Sequence, residues 1–208
     1  MKLSLFTRLS AALLVVLTVA CTPPSQTANT TTAPEKAAPA AVASTVTASA
    51  PAVPIAFPAP PNEQKSLEVA AKGVQIYTCG PKKDDATQFV WTLKAPEAEL
   101  TDSKGYKVGK HYAAPHGASW NPAWESTDGS KVIGDKDNAQ RKDAPNAIPW
   151  LLIPAQSATG KGVFGQVKSI QRLYTEGGKA PATGCDKANV GKEVRVDYKA
   201  TYYFYVAK

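Results

Sequence analysis

Two histidines and three cysteines in 208 residues leave few side chains for transition-metal or thiol chemistry. A metal centre built on imidazoles would have to use both His111 and His116. No Gly-x-Ser-x-Gly elbow occurs, which removes one familiar seat for a nucleophilic serine. The basic residues are scattered and no aromatic-interleaved basic stripe appears, so nucleic acid is not an expected partner. Between Asn62 and Lys208 no window longer than about ten residues carries a convincing helical stripe; Glu63 to Lys72 is the best short helical candidate.

What is present begins with an export segment. Residues 1–20 carry Lys2 and Arg8, then a short apolar run ending in small residues, the layout of a secretory signal peptide. That run is too short to span a bilayer permanently, which takes about 20 apolar residues. Cys21 follows directly, and the arrangement resembles a bacterial lipoprotein signal, in which the cysteine is lipidated and becomes the first mature residue. Leu17 lies four positions before the cysteine instead of the usual three, with Thr18 between. Thr22, standing where an Asp would retain the protein in the inner membrane, points by the same resemblance to a lipid-anchored life at the outer membrane of the cell envelope. The expected partner is therefore the membrane, through lipidated Cys21.

Residues 21–61 shift abruptly to Ala, Thr, Pro and Ser, with only Glu35 and Lys36 charged. Such a composition cannot bury enough apolar surface to offset its backbone entropy, and it reads as a tether. The chain carries a formal charge of +7; setting aside Lys2, Arg8, Lys36 and Glu35 leaves +5 on residues 62–208. That balance implies weak, salt-sensitive attraction to anionic envelope surfaces.

Residues 62–208 read as one all-β domain. In Arg195 to Val206 the set Val196, Tyr198, Ala200, Tyr202, Phe204 and Val206 alternates with Arg195, Asp197, Lys199 and Thr201, the period of a half-buried strand. Gly73 to Cys79, Phe89 to Lys94, Lys107 to Tyr112, Lys131 to Gly134, Trp150 to Ala155 and Val163 to Tyr174 are further strands, and Asp128-Gly129-Ser130 is a hairpin turn. The expectation is an antiparallel β-sandwich or jelly-roll-like domain. In an oxidising compartment Cys79 and Cys185 are expected to form its one disulfide. Gly160-Lys161-Gly162-Val163-Phe164-Gly165 satisfies the letters of a dinucleotide fingerprint, but a strand-like segment follows where a helix is needed, so it reads as a turn.

Candidate site residues cluster between Ala114 and Asp128. Trp120 and Trp124, flanked by Asn-Pro and small residues, are expected to stand exposed beside Glu125 and Asp128, where they could stack on a glycan or an envelope protein. Trp91 and Trp150 are assigned to the core. His111 and His116 could hold a divalent metal, although their spacing with Pro115 between does not put both on one helical face. Glu97 with Asp102, or Glu125 with Asp128, could serve as acid and base if brought to a separation of about 5–9.5 Å. The favoured expectation is a non-enzymatic module binding an envelope component or a protein partner, with no cofactor. The alternative is a secreted metal-assisted hydrolase using His111, His116 and a nearby carboxylate.

The motifs Tyr77-x-Cys79, Trp91-x-Leu93-x-Ala95-Pro96-Glu97-Ala98-x-Leu100, Val108-Gly109-x-His111-Tyr112, Asp128-Gly129-Ser130-x-Val132-x-Gly134, Ile148-Pro149-Trp150-Leu151-Leu152, Ile170-Gln171-Arg172-Leu173, Gly184-Cys185-Asp186 and Tyr202-Tyr203-Phe204-Tyr205 follow one another in this order. Together they resemble the exported bacterial and fungal family built on the domain of unknown function 3455, over essentially all of residues 62–208. The resemblance implies a shared fold and an exported life and supplies no reaction. Ala114 to Glu125 departs from the short Gly-Pro-x-Trp-Glu link that the family pattern has there.

Overall fold

Alternating inward and outward side chains oblige strands with one apolar face to bury that face, and this chain does so by closing a single sheet on itself. The computed structural model describes residues 57–208. Its strands are β1 (Glu63–Lys82), β2 (Asp85–Thr101), β3 (Lys107–His116), β4 (Ser119–Ser126), β5 (Lys131–Gly134), β6 (Gln140–Ala144), β7 (Ala147–Thr159), β8 (Ser169–Gly177) and β9 (Glu193–Ala207). Among the described residues the helical content is one 3-10 turn, Lys187–Asn189. The predicted signal peptide, lipidated Cys21 and most of the predicted tether lie outside the described residues.

The sheet runs β5-β4-β3-β2-β1-β9-β8-β7-β6, and β5 also pairs with β7. That extra pairing closes a barrel from β5 round to β7 and leaves β6 as a flap on β7. Every ladder is antiparallel. The all-β, antiparallel expectation with one disulfide holds. A β-sandwich or jelly roll asks for two facing sheets, whereas the strands here belong to one continuous ladder.

Two local expectations are corrected. Glu63 to Lys72 is strand, because β1 lies between β2 and β9 and the ladders on both sides outweigh the helical leaning of its Glu, Lys and Ala residues. Val163 to Lys168 is not the start of a strand, which begins at Ser169: this stretch turns inward, and Phe164 and Val167 are buried in the barrel core.

Phe164 plugs one end of the barrel. Its ring lies 4.5 Å from that of Phe204, within a core that includes Val69, Leu100, Val132 and Ile170. Asp128 ties this plug to the β4–β5 turn: its carboxylate accepts from the Ser130 hydroxyl and amide and from the Val163 amide, while the Ser130 hydroxyl accepts from the Phe164 amide. A Cβ on Gly162 would sit 2.2 Å from that carboxylate and displace it from these bonds.

The end of β9 is buried on both faces. Tyr202 and Phe204 point into the barrel, and Tyr203 and Tyr205 form an outer cluster with Leu173 and Phe57. Gln171 fastens the incoming chain there, its Nε2 donating to Phe57 O (2.9 Å) and Pro58 O (3.2 Å) and its Oε1 accepting from Tyr205 (2.7 Å). Burying a phenylalanine stabilises by roughly 1.5–3 kcal/mol, so contact with the barrel begins ahead of the first strand.

Cys79 and Cys185 are joined, linking the far end of β1 to the segment before the 3-10 turn across 106 residues. Backbone bonds from Cys79 N to Lys192 O and from Gly191 N to Cys79 O hold the same corner. Constraining so long a loop in the unfolded chain is worth up to about 4.7 kcal/mol. Replacing both cysteines by serine is expected to lower the unfolding free energy in urea by about 2–4 kcal/mol; a loss below about 0.5 kcal/mol, the range of a neutral surface change, would show that the backbone bonds hold this corner without the link.

Candidate functional site

At the end opposite Phe164 the inward positions stop being apolar. Along β1 they read Val69, Ala71, Gly73, Gln75 and Tyr77, and along β8 Ile170 and Arg172. Here the barrel holds a cavity of about 420 Å³, lined by Tyr77, Trp120, Trp124, Tyr202, Ile148 and Ile153 among others. Lys136, Arg141 and Arg172 also line it, and no carboxylate does. Gly178, with a φ of +76°, lets the chain pass close to this wall: a Cβ there would lie 2.8 Å from that of Tyr198 and 3.2 Å from Gln75.

Arg172 is the buried cation of the cavity, 9% exposed. Its Nε and Nη2 donate to Pro149 O at 3.1 and 2.9 Å, and among the described residues no carboxylate pairs with it. Its charge lowers the pKa of Tyr77, Tyr198 and Tyr202 against the larger, raising effect of burial, and adds to burial in lowering that of His111. The Tyr202 hydroxyl has Arg172, Tyr198 and Trp124 within reach, and they hold its pKa below what burial alone would give, although none of them meets it in good hydrogen-bond geometry. Gln75 Nε2, Trp124 Nε1 and the Tyr198 hydroxyl are likewise buried without a partner. Buried polar groups in folded proteins are almost always bonded, so several unpartnered groups around one unpaired guanidinium mark this region as unusual.

His111 completes the wall. Its ring stacks on Trp124 at 4.5 Å and 13°, and lies 5.2 Å from that of Tyr202. Nδ1 faces Ala123 O at 2.9 Å; a carbonyl only accepts, so Nδ1 carries the proton and Nε2 keeps its lone pair. Burial, with a smaller contribution from Arg172, brings the pKa down to about 3 in spite of that bond, so the ring is neutral.

The structure divides the residues that the sequence grouped. Trp120 is half-buried at the cavity, while Trp124 is fully buried inside the barrel, not exposed: it faces Val132 on β5, and closure of the ring covers it. Glu125 is on the outer face, accepting from the Tyr112 hydroxyl at 2.7 Å and pairing with Lys110 at 3.3 Å. Asp128 is in the turn beside the plug, its pKa lowered to about 2 by the bonds from Ser130 and Val163. His116 is exposed near the tip of the β3–β4 hairpin, five residues from buried His111, roughly 16 Å along a strand. Among the described residues no group of three or more His, Cys, Asp or Glu side chains could hold a metal ion. Glu97 pairs with Arg195 on the surface and Asp102 accepts from the amides of its own turn. Trp91 and Trp150 are half-buried, Trp91 donating to Thr183 O and Trp150 packing on the outer cluster.

Sequence reasoning missed Gln75, Tyr77, Arg141, Arg172 and Tyr202. The available signal was a polar residue at an inward position: Arg172 shares its face with Ile170, and Gln75 shares its face with Val69 and Ala71.

Residues 60–206 match the family described as Protein of unknown function (DUF3455). The chain belongs to this family. No curated protein and no solved structure matches. Every residue lining the cavity falls within the part of the chain that matches the DUF3455 family.

The neutral His111 has a stability consequence. Its pKa in the folded domain, about 3, lies below the value of 6.5 for a free ring, so between these limits the unfolded chain binds the extra proton and folding loses up to about 1.4 kcal/mol per pH unit as the pH falls. The contribution is complete above pH 6.5 and shrinks as the pH drops towards 3. Urea unfolding at intervals from pH 7 to 4.5 is expected to show this slope in the DUF3455 domain and a flatter one in His111→Gln; identical slopes would mean that His111 is protonated when folded.

Proposed function

We propose that this protein is a non-enzymatic binding module that takes a small ligand into the open end of its barrel. The observation that carries the reading is the cavity itself: it lies within the size range of small-molecule sites and combines apolar walls with a few convergent polar groups. The opposite end of the interior is packed around Phe164.

The setting is the cell envelope, and this part of the reading rests on the lipoprotein-type signal. Lipidated Cys21 anchors the chain at the outer membrane, the Ala/Pro/Thr-rich segment read from the sequence over residues 21–61 is the tether, and the barrel works at its end on an envelope component, a glycan fragment included. Two features weigh against the hydrolase alternative. His111 and His116 are not brought together, and Glu125 and Asp128 are each engaged elsewhere.

Two measurements test the reading. Thermal unfolding of the full chain against small organic acids, amides and envelope oligosaccharides is expected to reveal stabilising compounds; a ligand at a hundred times its dissociation constant adds about 2.7 kcal/mol. Trp120→Ala is expected to weaken that binding while Glu125→Ala on the outer face leaves it unchanged, and the reverse pattern would move the site to the surface. Cell fractionation of Cys21→Ala is expected to shift the protein from the membrane to the soluble fraction; unchanged membrane association would remove the lipid anchor.

A further inference from the structure

A cation withdrawn from water without a counterion is costly, and structures keep such a group only where something compensates it. Arg172 is in that position, held by one backbone carbonyl and faced by no acid among the described residues. Beside the acceptor Nε2 of His111, three groups of the same wall can donate. Gln75 Nε2 and Trp124 Nε1 can only donate, and the Tyr202 hydroxyl can donate; all three are buried in the cavity wall without a well-formed hydrogen bond, Trp124 and Arg172 lying beside Tyr202. Lys136 and Arg141 add positive charge to the wall. Arg141 meets Asp143 at 3.2 Å and Lys136 meets Asp137 at 3.1 Å, pairs in which the carboxylates are well exposed and give little neutralisation in water.

A cavity that offers donors and positive charge and lacks acidic residues suits an acceptor-rich anion. A water molecule could satisfy one or two donors but would leave the guanidinium charge unbalanced. Much of the remaining wall is apolar or aromatic, Ile148, Leu151, Ile153, Trp120 and Tyr77 among it, so a bare inorganic anion would leave this surface unfilled. Resting on the cavity reading above, we infer that the ligand is a small organic carboxylate: its carboxylate group meets Arg172, Gln75 and Tyr202, and its apolar body fills the space towards Trp120. A planar guanidinium matches a carboxylate with parallel charge-assisted hydrogen bonds.

The test uses the full chain at pH 7.5 and follows tryptophan fluorescence and unfolding temperature with matched probes: benzoate and octanoate, their uncharged amides benzamide and octanamide, and inorganic phosphate. The acids are expected to bind at least tenfold more tightly than their amides, and the tighter of the two shows whether the natural body is a ring or an alkyl chain. Arg172→Gln is expected to remove that preference. Because this variant also loses the bonds to Pro149, Gln75→Leu provides a second reading: it removes an unpartnered donor, so the ligand-free protein is expected to unfold at the same or a higher temperature while acid binding weakens. Amides binding as well as acids would overturn the carboxylate inference and leave the cavity reading standing. Phosphate binding without either acid would overturn the organic body. Absence of binding by acids and amides alike would overturn both the inference and the cavity reading.

Discussion

The pairing of β5 with β7 is the constraint on which the rest of the structure depends. Without it the sheet would have a free edge at β5 and Trp124 would lose the wall that covers it. With it, each inward side chain faces others across a closed interior, and the two ends of that interior can differ. The four residues of β5 suffice because their neighbours supply the support: Gly134 leaves room for Ile153, Trp124 and Pro122, where a Cβ would meet the Ile153 methyl at 2.7 Å. The Asp128 carboxylate, bonded to both the preceding turn and the plug loop, holds the start of β5 beside the chain that leaves β7.

Closure also explains how polar groups come to be stranded. In an open sheet Gln75 or Tyr202 could turn towards water at an edge, but in a ring the inward face has no edge. The chain satisfies some of these groups internally: Tyr77 donates to Gly178 O at 2.6 Å, and Thr175 to Ile148 O at 2.6 Å. It leaves others without partners beside Arg172. Tyr174, with a φ of +51°, lies where β8 slips register against β9, two residues beyond Arg172. Such irregularities bend a strand and re-aim nearby side chains, and this one flanks the guanidinium.

The alternation in β9, the hairpin at Asp128-Gly129, the disulfide and the all-β class were all legible, because each follows from local chemistry or from cysteine count. The candidate site was legible only in part. Trp120 and His111 were singled out and both line the cavity, but Trp124 was placed at the surface because its small and prolyl neighbours suggest a loop; β4 is a strand whose inward face is sealed by the β5–β7 closure, a contact between segments far apart in sequence. Glu125 and Asp128 looked like companions of the tryptophans because they follow them in the chain. Successive side chains of a strand point to opposite faces, so Glu125 faces outward where Trp124 faces in. Arg172 stayed hidden in a run of residues that reads as ordinary strand, and only closure reveals that its side is the interior.

The switch from apolar to polar along the inward faces divides the barrel by task. Towards Phe164 the interior holds Val69, Leu100, Val132, Ile170 and Phe204, and its contribution is packing, with a truncation there costing on the order of 2–5 kcal/mol. Towards the mouth it holds Gln75, His111, Arg172 and Tyr202, where unpartnered donors and a desolvated charge work against stability. A chain under selection for stability alone would fill those inward positions with residues like Val69 and Ile170, which it already uses one to three inward steps along the same strands. The polar residues sit together at one end, beside the cavity and away from the plug, while the disulfide secures the nearby β1–β2 ribbon with a covalent link. Stability is supplied at the plugged end and by that link, which allows the mouth to carry an arrangement that packing alone would not retain.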